Sequence, residues 1–280
     1  MFQEEESDGN FLDKLNTTVY SIYYVESTPT SLHLLMDVSI YNPTNITFDL
    51  PKEILQSGLI YNNTNLAIAT LEDVYIPQQE QVNISIGCTI NSETNQDKAV
   101  LEYFLSKFIS SGFENSTQVN IGNNHVVNNP GLNKLIEQIN ITNVTIPNIN
   151  LPSSHEEVSI NSCPFIIQAT IHILTSEVEL TLFNPIVNSE ILVEVFQAEA
   201  RYKDIILGYL LQRERLVVGP GIYKTPKLPI KINSIGMDVL KKAINGELNI
   251  EVLAMLNVQM DEFDVSLFYK GNDLKSNIGF

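Results

Sequence analysis

Apolar and polar residues alternate along Met36-Asp37-Val38-Ser39-Ile40-Tyr41, and again along Val178-Glu179-Leu180-Thr181-Leu182-Phe183. A period of two is that of a half-buried strand. Each run ends in an aromatic residue followed by Asn-Pro, at Asn42-Pro43 and at Asn184-Pro185. Proline offers no N–H to a neighbouring strand, so pairing stops there or moves to an edge. The same strand with the same stop, about one domain length apart, predicts a duplicated fold.

The rest of the pattern agrees. Strands are predicted over residues 17–25, 32–41, 45–50, 58–61, 65–70 and 81–90. The period then changes. Val100, Leu101, Phe104, Leu105 and Phe108 form the stripe of an amphipathic helix over 97–110, with Asp97 at its positive end and Gly112 beyond its stop. A strand at 117–121 follows. The second half repeats the order, with strands at 165–174, 177–183, 191–202, 205–211 and 227–232. Ser234 is placed to cap a helix reaching Asn245, with Ile235, Val239, Leu240, Ala243 and Ile244 on one face and Gly246 at its end. Strands at 248–260 and 264–269 close the chain. In the first of these, every second residue from Leu248 to Met260 is apolar. A run of strands, one helix and more strands, used twice, argues for β-sandwiches rather than an alternating α/β sheet.

The units are drawn as 11–128 and 131–271, with the boundary somewhere in 125–160. Leu132-Asn133-Lys134-Leu135 echoes Leu12-Asp13-Lys14-Leu15, which opens the second unit near 131; the alternative is that Asn140–Ile146 closes the first, and residues 152–157 are the most linker-like. Residues 1–10 are acidic and almost without apolar side chains, the composition of a disordered terminus. Residues 272–280 are read as a tail.

Charge narrows the partners. With 33 acidic and 16 basic residues the net charge is −17, a field that repels phosphate and disfavours nucleic acid and anionic membrane faces. No run of about 18 apolar residues is present to span a bilayer. The start, Met1-Phe2-Gln3-Glu4-Glu5-Glu6, lacks the apolar region of a signal peptide. The chain is therefore expected to be cytoplasmic if Met1 is the native start, or the soluble part of a longer anchored protein. Sequons favour the second. Asn16, Asn45, Asn62, Asn83, Asn115, Asn140 and Asn143 each begin Asn-x-Ser/Thr. Val82, Ile84, Ile86 and Cys88 share one strand face, so Asn83 points to the other, where a glycan fits. Cys88 and Cys163 are too few for a disulfide scaffold and have no metal spacing; Cys88 reads as a small core residue, with a Cys88–Cys163 bridge the less favoured alternative.

These residues resemble the type-2 late-embryogenesis-abundant (LEA-2) domain, in which a strand ending in Asn-Pro leads to a strand with a Tyr, a turn and a Gly, and a helix precedes the last strands. Here Asn42-Pro43 leads to Tyr61, and Asn184-Pro185 leads to Tyr202 with Gly208 following; the first unit lacks a Gly soon after Tyr61. The resemblance covers most of 30–125 and 165–270. It is nearest to fungal vacuolar membrane proteins with tandem lumenal LEA-like domains, implicated in terminating autophagy. It implies a mainly β fold of two tandem immunoglobulin-like sandwiches, each with one amphipathic helix. It also implies a place on the lumenal side of the vacuolar membrane, association with that membrane through a segment absent from this chain, and lipid in the groove between helix and sheet.

Catalytic chemistry finds little footing. His33, His125, His155 and His172 stand in no His-x-x-x-His or Glu-x-x-His arrangement, and there is no nucleophile elbow, P-loop or dinucleotide fingerprint. Neither a cofactor nor a metal is expected, and the chain is read as no enzyme. Arg201, Lys203, Arg213 and Arg215 make the basic cluster. The apolar helix faces remain. Either each stripe is core, or the helix stands off its sheet and Phe104 and Phe108 in the first unit, with Val239, Leu240 and Ile244 in the second, line a lipid site. A ligand pocket of that kind should be a few hundred Å3 and mostly apolar. The expected function is thus non-enzymatic binding of lipid or a protein partner. The alternative is an adhesion or scaffold module without a cavity.

Overall fold

The computed structural model describes residues 16–43, 45, 47–110, 117–122, 144–146, 165–233, 236–245 and 247–279. Predictions that fall elsewhere lie outside the described residues: the acidic terminus, the sequons at Asn115, Asn140 and Asn143, Cys163, His125, His155 and the linker at 152–157. Within the described residues the chain is mainly β, with two helices, as the pattern predicts.

The first unit contains β1 (Asn16–Thr28), β2 (Ser31–Tyr41), β3 (Phe48–Tyr61), β4 (Thr64–Ile76), β5 (Gln81–Asn91), α1 (Asn95–Ile109), β6 (Thr117–Gly122) and β7 (Val144–Ile146). Its sheet runs β1-β2-β5-β4-β3-β6-β7. The second contains β8 (Ile166–His172), β9 (Glu177–Asn184), β10 (Ile191–Tyr202), β11 (Ile205–Leu210), β12 (Glu214–Val218), β13 (Gly221–Lys224), β14 (Leu228–Ile232), α2 (Met237–Ile244), β15 (Asn249–Met260) and β16 (Phe263–Gly279). If β11 with β12 stands for β4, and β13 with β14 for β5, the same neighbours recur in the order β8-β9-β14-β11-β10-β15-β16. The second sheet curls further: residues 275–279 of β16 pair in parallel with 168–172 of β8, closing the two ends on each other.

Several predicted bounds differ from the structure, among them the start of the second unit at 131, since β7 at Val144–Ile146 still pairs with β6 of the first. Residues 272–279 are no tail but the far half of β16. The strand is hidden in sequence by Lys270-Gly271-Asn272-Asp273, where a glycine is required: a Cβ on Gly271 would lie 2.6 Å from the Tyr269 hydroxyl. α2 begins at Met237, with Gly236 as its N-cap and no side-chain bond there; the predicted cap Ser234, Ile235 and the stop at Gly246 lie outside the described residues. The residues between the strands predicted at 205–211 and 227–232 also form two short strands, β12 and β13. The alternation of β15 holds, with Leu248, Ile250, Val252, Ala254, Leu256 and Met260 all buried.

The repeated Asn-Pro is a structural latch. Asn184 is 1% exposed. Its Nδ2 donates to the carbonyls of Ser189 (2.9 Å) and Val218 (3.1 Å), and its Oδ1 accepts the Ile186 N–H (3.0 Å). Asn42, fully buried, donates from Nδ2 to the Pro77 carbonyl at 2.9 Å. Val218 ends β12 and Pro77 follows β4, so both amides tie the end of one strand to the end of its equivalent neighbour.

The two helices differ in placement. α1 was expected to cover its own sandwich. It does pack on β4 and on the end of β3, where the Phe104 and Tyr61 ring centroids lie 5.5 Å apart. It also crosses to the second unit and lies along β16. Lys98 pairs with Asp264 (3.2 Å). Glu102 Oε1 accepts the Ser266 N–H (2.8 Å), Ser106 Oγ accepts the Phe268 N–H (2.9 Å) and Ser110 Oγ accepts the Lys270 N–H (2.9 Å). Four helical residues advance about 6.0 Å. Two strand residues advance about 6.8 Å. The two spacings nearly match, so side chains at every fourth helix position serve every second N–H of an edge that would otherwise be bare. The two hydroxyls return their protons to the carbonyls one turn back, at Glu102 and Ser106. Thr94 and Asp97 close the start of α1 with a reciprocal capping box. Leu101 and Phe104 belong to the same buried cluster as Val193 and Tyr269, so one apolar core runs through both units.

Cys88, half-buried on β5, is a free thiol. Burial pushes its pKa from an ordinary 9.0 up to about 11. Alkylation of the native protein at pH 8 is therefore expected to run about 100-fold slower than that of the unfolded chain, and to accelerate as the pH rises. The stability tied to the neutral thiol is present below pH 9.0 and is lost as pH rises toward about 11. A native rate equal to the unfolded rate would show that the thiol is not shielded.

Candidate ligand cavity in the second unit

The inward faces of the curled sheet leave a space that their side chains do not fill. A pocket of about 110 Å3, partly open to solvent, lies among β8, β9, β10, β11, β14 and β15, with α2 along one side. Its walls are apolar, from Leu182, Val193, Leu207, Ile250 and Leu256 among others. The cause is local: Ala169, Ala198, Ala200, Ala243 and Ala254 face inward among Leu, Ile and Val, and each is short by two to three carbons. Gly208 sets the wall between β11 and β14. A Cβ there would meet the Lys231 carbonyl at 2.7 Å, so only glycine permits this approach.

The predicted lipid-lining residues separate in space. Val239 lines the cavity, joined by Ala243. Leu240 is half-buried beside it and Ile244 is 56% exposed. Phe104 is buried 5% exposed in the joint between the units, away from this cavity. The side chain of Phe108 lies outside the described residues. What the sequence did not indicate is the wall itself, because alanines at strand positions look like any core residue until their opposite neighbours are known.

The helix is lightly held. α2 spans only Met237–Ile244 and lacks the side-chain capping that α1 has. Its outer anchor is Lys242, whose Nζ donates to Tyr202 Oη at 2.8 Å, a bond that raises the lysine pKa and lowers the tyrosine's. Tyr61, the counterpart of Tyr202, meets α1 in the same way, through Tyr103, Phe104 and Lys107.

Elsewhere the basic cluster comes apart. Arg201 pairs with Glu199, Arg213 sits 4.9 Å over the Phe196 ring, and Arg215 stands opposite Glu194 near the far end of β10. His33 lies 3.7 Å from Glu26, and His172 is half-buried in β8. Among the described residues no three His, Cys, Asp or Glu side chains gather as metal ligands, and no helix is long and apolar enough to cross a membrane. Asn45, Asn62 and Asn83 are exposed, with Asn62 in the tight β3–β4 turn at φ 49°. The side chain of Asn16 lies outside the described residues.

No curated protein matches the chain. Residues 158–268 match the family model described as the Tag1-like fifth LEA-2 like domain. That span holds β8 through α2, β15 and the start of β16, so the second unit is similar to LEA-2 domains and its curled β architecture is of their kind.

Proposed function

We propose that the chain is a non-enzymatic, lumenal region of a vacuolar or other endomembrane protein, and that its second unit holds the apolar chain of a lipid. The observation that carries this reading is the apolar cavity beside α2. At about 110 Å3 it is below the few hundred Å3 of a pocket that encloses a whole ligand, and suits one chain end. An apolar pocket of this size takes the end of a chain, and its open side leaves room for the rest to run out to solvent. The exposed sequons at Asn45, Asn62 and Asn83 support the lumenal side, and the resemblance to tandem LEA-like vacuolar proteins supports a role in autophagy regulation.

The test is organic extraction and mass spectrometry of the purified protein, with Ala254→Ile as control. Wild type is expected to release stoichiometric lipid. The variant fills the space, is expected to gain about 1–2 kcal/mol of stability, and should carry none. A lipid-free wild type, or a variant that loads equally, overturns the reading. The scaffold alternative is favoured by the small cavity together with the α1 joint, which holds two sheets in one fixed pose; it predicts a lipid-free wild type.

A further inference from the structure

The pocket of the second unit is shaped in part from outside that unit. β15 gives its wall Ile250, Val252, Ala254 and Leu256. β15 and β16 form one long hairpin, paired from Met260 with Phe263 at the tip to Asn249 with Lys275 at the far end. Among the described residues none of the first unit lines the pocket, yet that unit grips the hairpin at two places. At the tip, Ser27 Oγ donates to the Met260 carbonyl (3.1 Å) and accepts the Glu262 N–H (3.2 Å), while Tyr24 Oη donates to Asp261 Oδ2 (3.0 Å). Along the outer edge of β16, α1 supplies the Lys98–Asp264 pair and the acceptors Glu102, Ser106 and Ser110.

This grip can slacken without stranding a buried group. The bonds at Ser266 and Phe268 stand at the surface, so water takes over their N–H groups. Ser106 and Ser110 keep their own bonds to the Glu102 and Ser106 carbonyls, both at 2.6 Å. Exchanging such bonds for bonds to water has a small net cost. Leu101 and Phe104 meanwhile hold α1 in the shared core. The remaining attachment of that edge, residues 275–279 on β8, is parallel, a pairing slightly weaker per residue than an antiparallel one.

We infer that the first unit regulates the pocket. Its hold on the β15–β16 hairpin keeps the β15 wall in; slackening that hold lets the wall move out and the pocket take more of an apolar chain. The inference rests on the lipid reading above and names what controls that site. Pocket size gives the reason. At about 110 Å3 the pocket takes a chain end, and the part left in solvent adds nothing to binding. Each further methylene drawn in strengthens binding about fourfold, so a long chain favours the slack state and a short one does not. The coupling is reciprocal: whatever loosens the grip tightens the hold on a long chain, and a long chain loosens the grip.

The experiment is titration calorimetry of the full chain with octanol and with dodecanol, beside amide exchange at Ser266, Phe268 and Lys270. Two grip variants are used, Ser106→Ala with Ser110→Ala, and Ser27→Ala with Tyr24→Phe. The control is Asn42→Ala, whose amide bonds to the Pro77 carbonyl within the first unit. Both grip variants are expected to bind dodecanol about fivefold tighter or more, and octanol as wild type does. Asn42→Ala should match wild type for both alcohols. Dodecanol, and not octanol, should speed exchange at the three amides in wild type. Equal dodecanol affinity in wild type and grip variants, or exchange that dodecanol does not move, overturns the regulation and leaves the pocket reading intact. A gain in Asn42→Ala equal to that of the grip variants assigns the effect to general loosening and also overturns it. If neither alcohol binds any of these proteins, the pocket reading itself fails and the regulation falls with it.

Discussion

Asn184→Ala is expected to cost roughly 3–5 kcal/mol of stability. The side chain is 1% exposed and makes three bonds, donating to the Ser189 and Val218 carbonyls and accepting from the Ile186 N–H. Removing it strands two buried backbone groups and a partly buried third, at about 1–3 kcal/mol each for the buried ones, partly relieved by relaxation. The donors matter most, so Asn184→Asp, which sets a carboxylate against two carbonyls, should be at least as damaging despite its shape. Asn42→Ala should act the same way in the first unit through Pro77. Denaturant titration followed by circular dichroism reads the effect. A loss under about 1 kcal/mol for Asn184→Ala would mean that water replaces the amide and that the latch is incidental.

Phe104→Ala is expected to cost about 3–5 kcal/mol and to divide the unfolding of the chain. Phe104 is 5% exposed, stacks near Tyr61 and belongs to the core that both units share. The intact protein should therefore melt in a single calorimetric transition, and the variant in two. A gentler probe is Ser106→Ala with Ser110→Ala, which keeps the helix but leaves the Phe268 and Lys270 N–H groups without their acceptors. It should cost about 1–3 kcal/mol and speed amide exchange at 268 and 270 before any other strand position. Two transitions in the wild type, or protection at 268 and 270 unchanged in the double serine variant, would show that α1 does not join the units.

Much of the fold was legible because period and burial coincide. β2, β9, β10 and β15 alternate, each having one inward face, and both helices carry an apolar stripe. What escaped has a physical reason too. The polar residues Glu102, Ser106 and Ser110 look like a solvated helix face, and only the position of β16 turns them into acceptors for its N–H groups. The far half of β16 escaped because Gly271 and its polar neighbours read as a turn, whereas the glycine is there for the Tyr269 side chain. The candidate site was half legible. Val239 and the helix were visible from periodicity, but a void depends on which alanines oppose one another across the sheet, and that pairing is tertiary.

The two buried asparagines have a chemical fate set by their following residue. Spontaneous deamidation begins when the next backbone nitrogen attacks the side-chain carbonyl and loses its proton to form a succinimide ring. Pro43 and Pro185 supply a nitrogen with no proton to lose. In a chain rich in asparagine, the two amides that fasten the strand ends are thus barred from the reaction by which exposed ones age, and both latches keep their donors for the life of the protein.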